Sequence, residues 1–190
     1  MPQAFDDLSG VRTIADDIFI WGRNKAEHNQ RLEQVWERSR KVGLKLNRST
    51  MKITTPEVPH IGHVLTSYEL KPDPSKVRAV EKMPSPADLP ALLTFLGMVN
   101  YMNKFIPNLA NLTQPLRDLL HKEVEWHWSE RQEKAFQAIK ENLTSDATLQ
   151  YYDVEKPLTV SVDASSYGLG ACLLQEDRPV CYISRSPAAI

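Results

Sequence analysis

The sequence predicts an α+β fold, because helix-like and strand-like patterns occupy separate blocks of its 190 residues. Short β-branched and aromatic runs lie near both ends of the chain, and amphipathic runs with the period of a helix lie between them. Apolar residues make up 42% of the sequence and charged residues 25%. This composition is typical of a globular chain with a core, and it excludes a disordered tail, a collagen-like repeat and a coiled-coil rod.

The first strand-like pattern predicts a hairpin that carries acids near its tip. Residues 11–14 and 18–21 flank Ala15, Asp16 and Asp17. Adjacent side chains on a regular strand point to opposite faces, so the two carboxylates can face one ligand only where the backbone turns. Two exposed carboxylates suit Mg²⁺, which completes its coordination with water and phosphate oxygens. A solvated acidic turn is the alternative interpretation of the pair alone.

An amphipathic surface helix is predicted for residues 24–42, with Leu32, Val35 and Trp36 on one face and Gly43 as its stop. The end of this helix and the segment after it contain six cations and no acid: Arg38, Arg40, Lys41, Lys45, Arg48 and Lys52. Such a segment can follow a phosphate backbone. The alternative is a solvated helix end whose cations suit the helix dipole.

Brief strands are predicted at residues 44–46, 51–53 and 61–65, separated by turn-forming segments. Residues 70–90 contain five prolines and predict an irregular connector around one short helix, 75–82. The first module is therefore expected to end near this connector.

A small helical module follows the connector. Asp88 is a good N-cap for a helix at 91–105, and a second helix is predicted at 109–120. Ser129 and Gln132 form a capping-box pattern ahead of a third helix.

Three successive strands are predicted at 158–163, 168–175 and 180–185, and they form an antiparallel meander. Asp163 stands where the first of these strands ends and small residues begin. A functional carboxylate is often displayed at such a position, but an acid there is also a common turn former or N-cap.

The two cysteines fall on neighbouring strands of this meander. If residues 176–177 form a two-residue turn, Gln175 pairs with Arg178, and Cys172 then lies directly opposite Cys181. A reduced pair is favoured over a disulfide.

Charge and hydropathy limit the partners and the cellular compartments expected for the chain. The net charge of −1 gives no overall case for a nucleic-acid partner. The uncharged apolar stretches are far shorter than the ~20 residues that span a bilayer, and the acidic N-terminus does not resemble a signal peptide. We therefore expect a cytoplasmic or nuclear protein.

Six motifs, in the same order along nearly the whole chain, resemble the polyprotein of gypsy-type LTR retrotransposons. They are VRTIADDIFIWG at 11–22, HIGHVL at 60–65, LKPDPSKV at 70–77, FLGMVNYMNKFI at 95–106, the segment 126–143, and VDASSYGLGACLLQ at 162–175.

The resemblance implies a role for several of these residues. It identifies Asp16 and Asp17 with the paired metal-binding carboxylates of the reverse-transcriptase palm, and Asp163 with the first catalytic aspartate of RNase H. The HIGHV segment, with Gly62 and His63, is similar to the primer grip that contacts nucleic acid. The FLGMVNY helix is similar to the thumb.

The same resemblance implies a fold and a division into domains. The expected fold is a partial palm hairpin and a helical thumb, joined to the first three antiparallel strands of an RNase H-like domain. Residues 1–69 would be the C-terminal part of the palm with its primer-grip-like hairpin, 70–128 the thumb and connection, and 129–190 the truncated RNase H-like domain.

Two-metal phosphoryl chemistry, Mg²⁺ and an RNA/DNA template–primer or hybrid are the implied activity, cofactor and partner. The family palm needs a third aspartate from an upstream strand, and only fifteen residues precede Asp16. RNase H needs three further carboxylates on elements that come after the third strand. We therefore expect both active sites to be incomplete and the chain to be inactive without other polyprotein segments.

Two alternatives remain open at this stage. One is a module that binds nucleic acid in a salt-dependent way or binds another protein, and the other is a gene relic without function. Open sheet edges also predict self-association.

Overall fold

The computed structural model describes residues 4–145 and 147–186, and it combines helices with antiparallel sheets, as the sequence predicts. Two compact units are present, Met1–Thr55 and Pro56–Ile190. The division at 69 and 128 stays a prediction.

The first unit contains a hairpin and one long helix. Strand β1, Val11–Ile14, pairs with antiparallel β2, Asp17–Ile20, and helix α1 spans Lys25–Lys41. The helix begins where the Asn24 side chain accepts a 2.9 Å hydrogen bond from the Glu27 amide, which satisfies one of the amides left free at a helix start. The buried side chains that hold the unit together are those of Phe5, Val11 and Val35.

The predicted strands at 44–46 and 51–53 are wrong. Residues 44–57 are all described, and they form neither strand nor helix. Asn47 explains part of this, because its side-chain oxygen accepts hydrogen bonds from the amide and the hydroxyl of Ser49. A local turn of this kind competes with sheet pairing.

The second unit begins with an antiparallel sheet of four strands. Its order is β3, Val58–His60; β4, His63–Leu65; β5, Glu69–Pro72; and β6, Leu149–Gln150. Two predictions are corrected here, since the turn expected before residue 61 contains β3, and the connector expected from residue 70 begins as β5. Pro59 fits β3 because this strand lies at the sheet edge, where a missing amide hydrogen bond is tolerated.

Four helices pack into the core of the second unit. Asp88 caps the second of them through a 2.8 Å bond from the Ala91 amide, and Ser129 and Gln132 form the predicted capping box at the fourth. The helix predicted at 91–105 ends at residue 101 and continues as a short 3₁₀ turn, 103–105. Among the residues that the structure describes, no helix combines the length and apolar character needed to cross a bilayer. The helices are α2, Pro74–Glu81; α3, Leu89–Tyr101; α4, Leu109–Asp118; and α5, Glu130–Thr144.

Aromatic contacts anchor this core. The rings of Phe95 and Phe136 lie 4.6 Å apart in a tilted arrangement and are fully buried, which joins α3 to α5. Trp128 meets Phe136 edge-on at 5.9 Å. The helices and the four-stranded sheet therefore share one core, to which Leu149 of β6 also belongs.

The predicted meander is present as β7, Thr159–Ser165; β8, Gly168–Gln175; and β9, Arg178–Arg185. Gln175 pairs with Arg178, as predicted, around the two-residue turn 176–177. Both strand pairs are antiparallel, and β7 and β9 form the edges of this sheet.

The predicted pairing of the cysteines is wrong by one residue. An irregularity between Leu173 and Leu174 shifts the register, so that Cys172 lies opposite Tyr182 and Leu173 lies opposite Cys181. A bulge adds a residue to one strand only, and counting outward from the turn does not include it. Both thiols are free.

Candidate functional site

The tip of the first hairpin presents two adjacent carboxylates to solvent. Ile14 pairs with Asp17, so the turn consists of Ala15 and Asp16. Ala15 has a positive φ of 52°, which reverses the chain tightly. Asp16 therefore stands in the turn and Asp17 at the first position of β2, and both are exposed. The backbone therefore turns at the two acids, as it must if neighbouring carboxylates are to reach one ligand.

The charges of these two carboxylates are available to a cation. Within residues 4–145 and 147–186, neither side chain has a hydrogen-bond or ion-pair partner. Two exposed carboxylates fit the part of a Mg²⁺ shell that a protein commonly supplies, with water and phosphate oxygens supplying the rest. No cluster of three or more His, Cys, Asp or Glu residues suited to a metal occurs in the described part of the chain.

Of the six cations in the basic segment, Arg38 has a structural partner. Its guanidinium donates two 2.7 Å hydrogen bonds to the Asp7 carboxylate and a third to the carbonyl of Ala4. The two bonds to the carboxylate, more than the charge of Arg38, lower the pKa of Asp7. Arg38 thus fastens α1 to the start of the chain.

The other five cations of the basic segment are exposed. Arg40 and Lys41 lie in the last turn of α1, where positive charge also suits the helix dipole, and the remainder follow on the irregular segment. These five are Arg40, Lys41, Lys45, Arg48 and Lys52. Exposed cations of this kind can contact the phosphates of a nucleic-acid strand.

In the second unit, Gly62 and His63 lie at the turn between β3 and β4. Gly62 has a φ of +67°, and Ile61 before it also has a positive φ. The His63 ring stacks on Tyr101 at 6.0 Å and contacts Phe105 at 5.4 Å. Burial, with a smaller contribution from the nearby Lys104 charge, lowers the pKa of His63. The imidazole is therefore biased toward its neutral form.

Tyr101 is a neighbour of this turn that the local sequence pattern does not predict. The ring is half-exposed, and its hydroxyl donates a 2.8 Å hydrogen bond to the carbonyl of Ile61. The residues are forty positions apart, and no local pattern in the sequence signals the contact.

Asp163 lies inside strand β7 and not at its end. The strand continues to Ser165, so the interpretation of Asp163 as a turn former or N-cap is wrong. Asp163 pairs with Gly170 of β8 and is exposed on an edge strand. Beyond it, the Ser165 hydroxyl donates a 2.7 Å hydrogen bond to the Asn111 side chain, which ties the end of β7 to α4.

The predicted site residues are divided between the two units. The paired carboxylates Asp16 and Asp17 and the basic segment belong to the first unit. Gly62, His63 and Asp163 belong to the second.

Residues 128–189 match the family described as an RNase H-like domain found in reverse transcriptase. Over 168 residues, 88% of the chain, the sequence is 32% identical to the transposon Tf2-3 polyprotein of Schizosaccharomyces pombe. Over 172 residues, 90% of the chain, it is 33% identical to the retrovirus-related Pol polyprotein from transposon 297 of Drosophila melanogaster. The corresponding protein from transposon gypsy is 30% identical over 183 residues. The chain spans 13 to 18% of the length of these relatives.

The fold is similar to solved structures of the foamy viral protease-reverse transcriptase. A complex of that protein with double-stranded DNA superposes with a TM-score of 0.85 at 22% identity, over 97% of this chain and 40% of the viral chain. A complex with an RNA/DNA hybrid superposes with a TM-score of 0.83, over 97% of this chain and 26% of the viral chain.

Proposed function

This chain is a homologue of retrotransposon Pol polyproteins, and from that premise we propose that it is a reverse transcriptase/RNase H segment that binds an RNA/DNA template–primer. In this proposal residues 1–69 are the end of the palm, 70–128 the thumb and connection, and 129–190 the start of an RNase H-like domain. Two-metal phosphoryl transfer is the chemistry to which the chain contributes.

The observation that carries the proposal is the exposed pair of carboxylates at the hairpin tip, Asp16 and Asp17, which have no partner among the described residues. Carboxylates at this position would hold Mg²⁺, which supplies charge neutralisation for a primer 3′ hydroxyl and an incoming triphosphate. Asp16 and Asp17 would hold the metal from the exposed hairpin tip. Further ligands come from other segments of the polyprotein.

Asp163 has the corresponding role in the RNase H-like part. Its exposed carboxylate on β7 is a metal ligand in the proposal, and the metal would activate water for attack on the RNA strand of a hybrid. In the proposal, further carboxylates would complete this second site.

Each unit offers residues of its own to nucleic acid. The five exposed cations of the basic segment supply attraction to phosphates, and the β3–β4 turn with Gly62 and His63 presents backbone and a neutral imidazole to the primer strand. The exposure of the five cations also favours a second candidate function, salt-dependent nucleic-acid binding without catalysis. A relic without function is the third reading.

The test is fluorescence anisotropy of a labelled RNA/DNA hybrid titrated with the full chain at two salt concentrations, with and without Mg²⁺. We expect affinity to fall steeply with salt, because released counterions dominate binding to phosphates. Substituting Asp16→Asn and Asp17→Asn together should remove any strengthening by Mg²⁺. The matched control is Asp6→Asn with Glu33→Gln, two exposed acids of the same unit, which should retain it.

A second experiment separates the enzyme from the binding module. The chain is combined with the upstream palm and fingers segment of a homologous polyprotein, and Mg²⁺-dependent primer extension is measured. Extension that disappears in the Asp16→Asn, Asp17→Asn variant supports the proposal. Hybrid binding without primer extension favours the binding module over the enzyme segment. No hybrid binding at low salt contradicts both of these functions and leaves the relic.

A further inference from the structure

A cleft in the second unit is lined by none of the residues to which the proposed function gives a role. Its volume is about 520 Å³. It opens between the β4–β5 turn, the loop that follows β6, and the β8–β9 turn. Its lining includes three aromatic side chains, one amide and one cation: Tyr68, Tyr151, Tyr152, Gln175 and Arg178.

The floor of the cleft is fixed by Gln175, whose side chain is almost completely buried. Its amide nitrogen donates to the carbonyls of Asp153 and Lys156, at 2.8 and 3.0 Å, and its amide oxygen accepts from the Asp153 amide at 2.9 Å. A buried side-chain amide with its groups satisfied in this way holds the loop 151–156 in one conformation. The cleft is therefore formed before any ligand arrives.

One wall is fixed by Tyr151. Its hydroxyl lies 2.9 Å from the carbonyl of Thr66 and 3.1 Å from that of Glu69, and it donates to this pair. Burial raises the pKa of this phenol, so it stays a donor at neutral pH. These contacts hold the β4–β5 turn, which carries Tyr68 into the rim of the cleft.

The rim presents aromatic rings to solvent. The exposed fraction is 83% for Tyr68 and 55% for Tyr152, which is high for large aromatic side chains. Neither phenol is used in a hydrogen bond among the described residues. An exposed aromatic ring is suited to stacking, because its face is open to a second ring.

Two cations and two acids line the cleft. Lys156 pairs with Glu176 at 2.8 Å and also feels the charge of Asp153, whose carboxylate accepts a hydrogen bond from the Glu155 amide. The guanidinium of Arg178 is exposed and has no partner in the described part of the chain. A ligand with a flat ring and one nearby negative charge would match this arrangement.

We infer that this cleft binds single-stranded nucleic acid, with unpaired bases stacked on Tyr68 and Tyr152 and a phosphate at Arg178. Aromatic side chains stack on every base, and an adjacent cation follows the backbone, so the site would be tolerant of sequence. A base must be unpaired to stack in this way, which distinguishes the ligand from the duplex bound in the proposed function. The inference does not rest on the carboxylates or on the basic segment.

The first test is a titration of a dye-labelled oligothymidylate with the full chain, measured by fluorescence anisotropy. Tyr68→Ala and Tyr152→Ala should each weaken binding about ten-fold, the order expected for loss of one stacked base. Tyr167→Ala is the matched control, because Tyr167 is similarly exposed, at 52%, but lies at the β7–β8 turn. Tyr68→Phe should bind like the unchanged chain, since it keeps the stacking ring.

The charge is tested in the same titration. Arg178→Gln should weaken binding. It should also reduce the magnitude of the slope of log affinity against log salt by roughly one, as expected for the loss of one phosphate contact. Arg185→Gln, an exposed arginine at the other end of β9, should leave the slope unchanged.

A direct readout locates the bases. An oligonucleotide containing 5-iodouracil is irradiated with the chain, and the crosslinked peptides are identified by mass spectrometry. Crosslinks at Tyr68 or Tyr152 support the inference. Crosslinks confined to other residues, no binding of the single strand, or equal losses in the Tyr152→Ala and Tyr167→Ala variants would overturn it, whatever the hybrid titration gives.

Discussion

The hydroxyl of Tyr101, the last residue of α3, donates a 2.8 Å hydrogen bond to the carbonyl of Ile61 in the β3–β4 turn. The Tyr101 ring also stacks on His63, so the turn is held from the side by one aromatic residue of a helix. Gly62 lies between these two contacts. A Cβ atom at Gly62 would lie 2.5 Å from the Tyr101 ring, which is closer than real contacts allow.

We expect Gly62→Ala to lower the free energy of unfolding by about 1–3 kcal/mol, because Ala is strained at a φ of +67° and its methyl group displaces Tyr101. Urea unfolding measures this change. Gly97→Ala is the matched control, since it lies inside α3 with open space around it. That change should stabilise the chain by about 0.5–1 kcal/mol. Equal effects at the two glycines would contradict the close packing of Tyr101 on the turn.

The sequence predicts the elements whose signals are local. Asp88 and the Ser129–Gln132 box mark helix starts by side-chain bonds to amides two or three residues away, and both are confirmed. The hairpin around Asp16 and the meander are also confirmed, because turn residues and alternating patterns lie together in the sequence. These elements carry the candidate carboxylates.

The elements that the sequence does not predict depend on distant partners. Strand β5 ends at Pro72, and it forms because it pairs with β4 and with residues 149–150, almost eighty positions later. The opposite error occurs at 51–53, where the alternation of Met51, Lys52 and Ile53 predicts a strand and none forms. The contact of Tyr101 with Ile61 also depends on a distant partner. So does the grouping of Tyr68 with Tyr151 and Tyr152 in one cleft. Side-chain pattern indicates that a residue suits a surface, but tertiary pairing decides which surface it meets.

The β8–β9 turn predicts a stabilising substitution. Glu176 and Asp177 both have positive φ, at 51° and 59°, a region that Gly adopts with less strain than any residue with a Cβ atom. Asp177→Gly should therefore raise the free energy of unfolding by up to about 1 kcal/mol, while Glu176 keeps its ion pair with Lys156. Thermal or urea unfolding measures the gain. Asp177→Ala keeps the strain, so a gain as large as that of Asp177→Gly would argue against this reason.

The edge strand β7 predicts self-association. Its residues are all exposed, and Val162 is 75% exposed on a strand whose outer edge has no neighbour in the described sheet. Unpaired edges with apolar side chains recruit other strands. We expect the chain to elute from a size-exclusion column in a concentration-dependent, oligomeric form, and Val162→Lys to shift it toward the monomer. Val154→Lys, at a loop residue of similar exposure, 78%, should not shift it. Elution of the unchanged chain as a monomer at all concentrations would refute the prediction.

Finally, the neutral His63 predicts a loss of stability in mild acid. Its pKa is lower in the folded chain than the ordinary value of about 6.5, so the unfolded state binds the proton more readily. The stability that the neutral ring provides is present above pH 6.5, declines as pH falls through that value, and is lost below the folded pKa. The carboxyls of Asp7, Asp73 and Glu133, whose pKa values are also lowered, contribute their own loss only in stronger acid. Urea unfolding between pH 7.5 and 5.5 should therefore show a decline that His63→Gln reduces and that His121→Gln, at an exposed histidine, leaves in place. An undiminished decline in the His63→Gln chain would place the titrating group elsewhere.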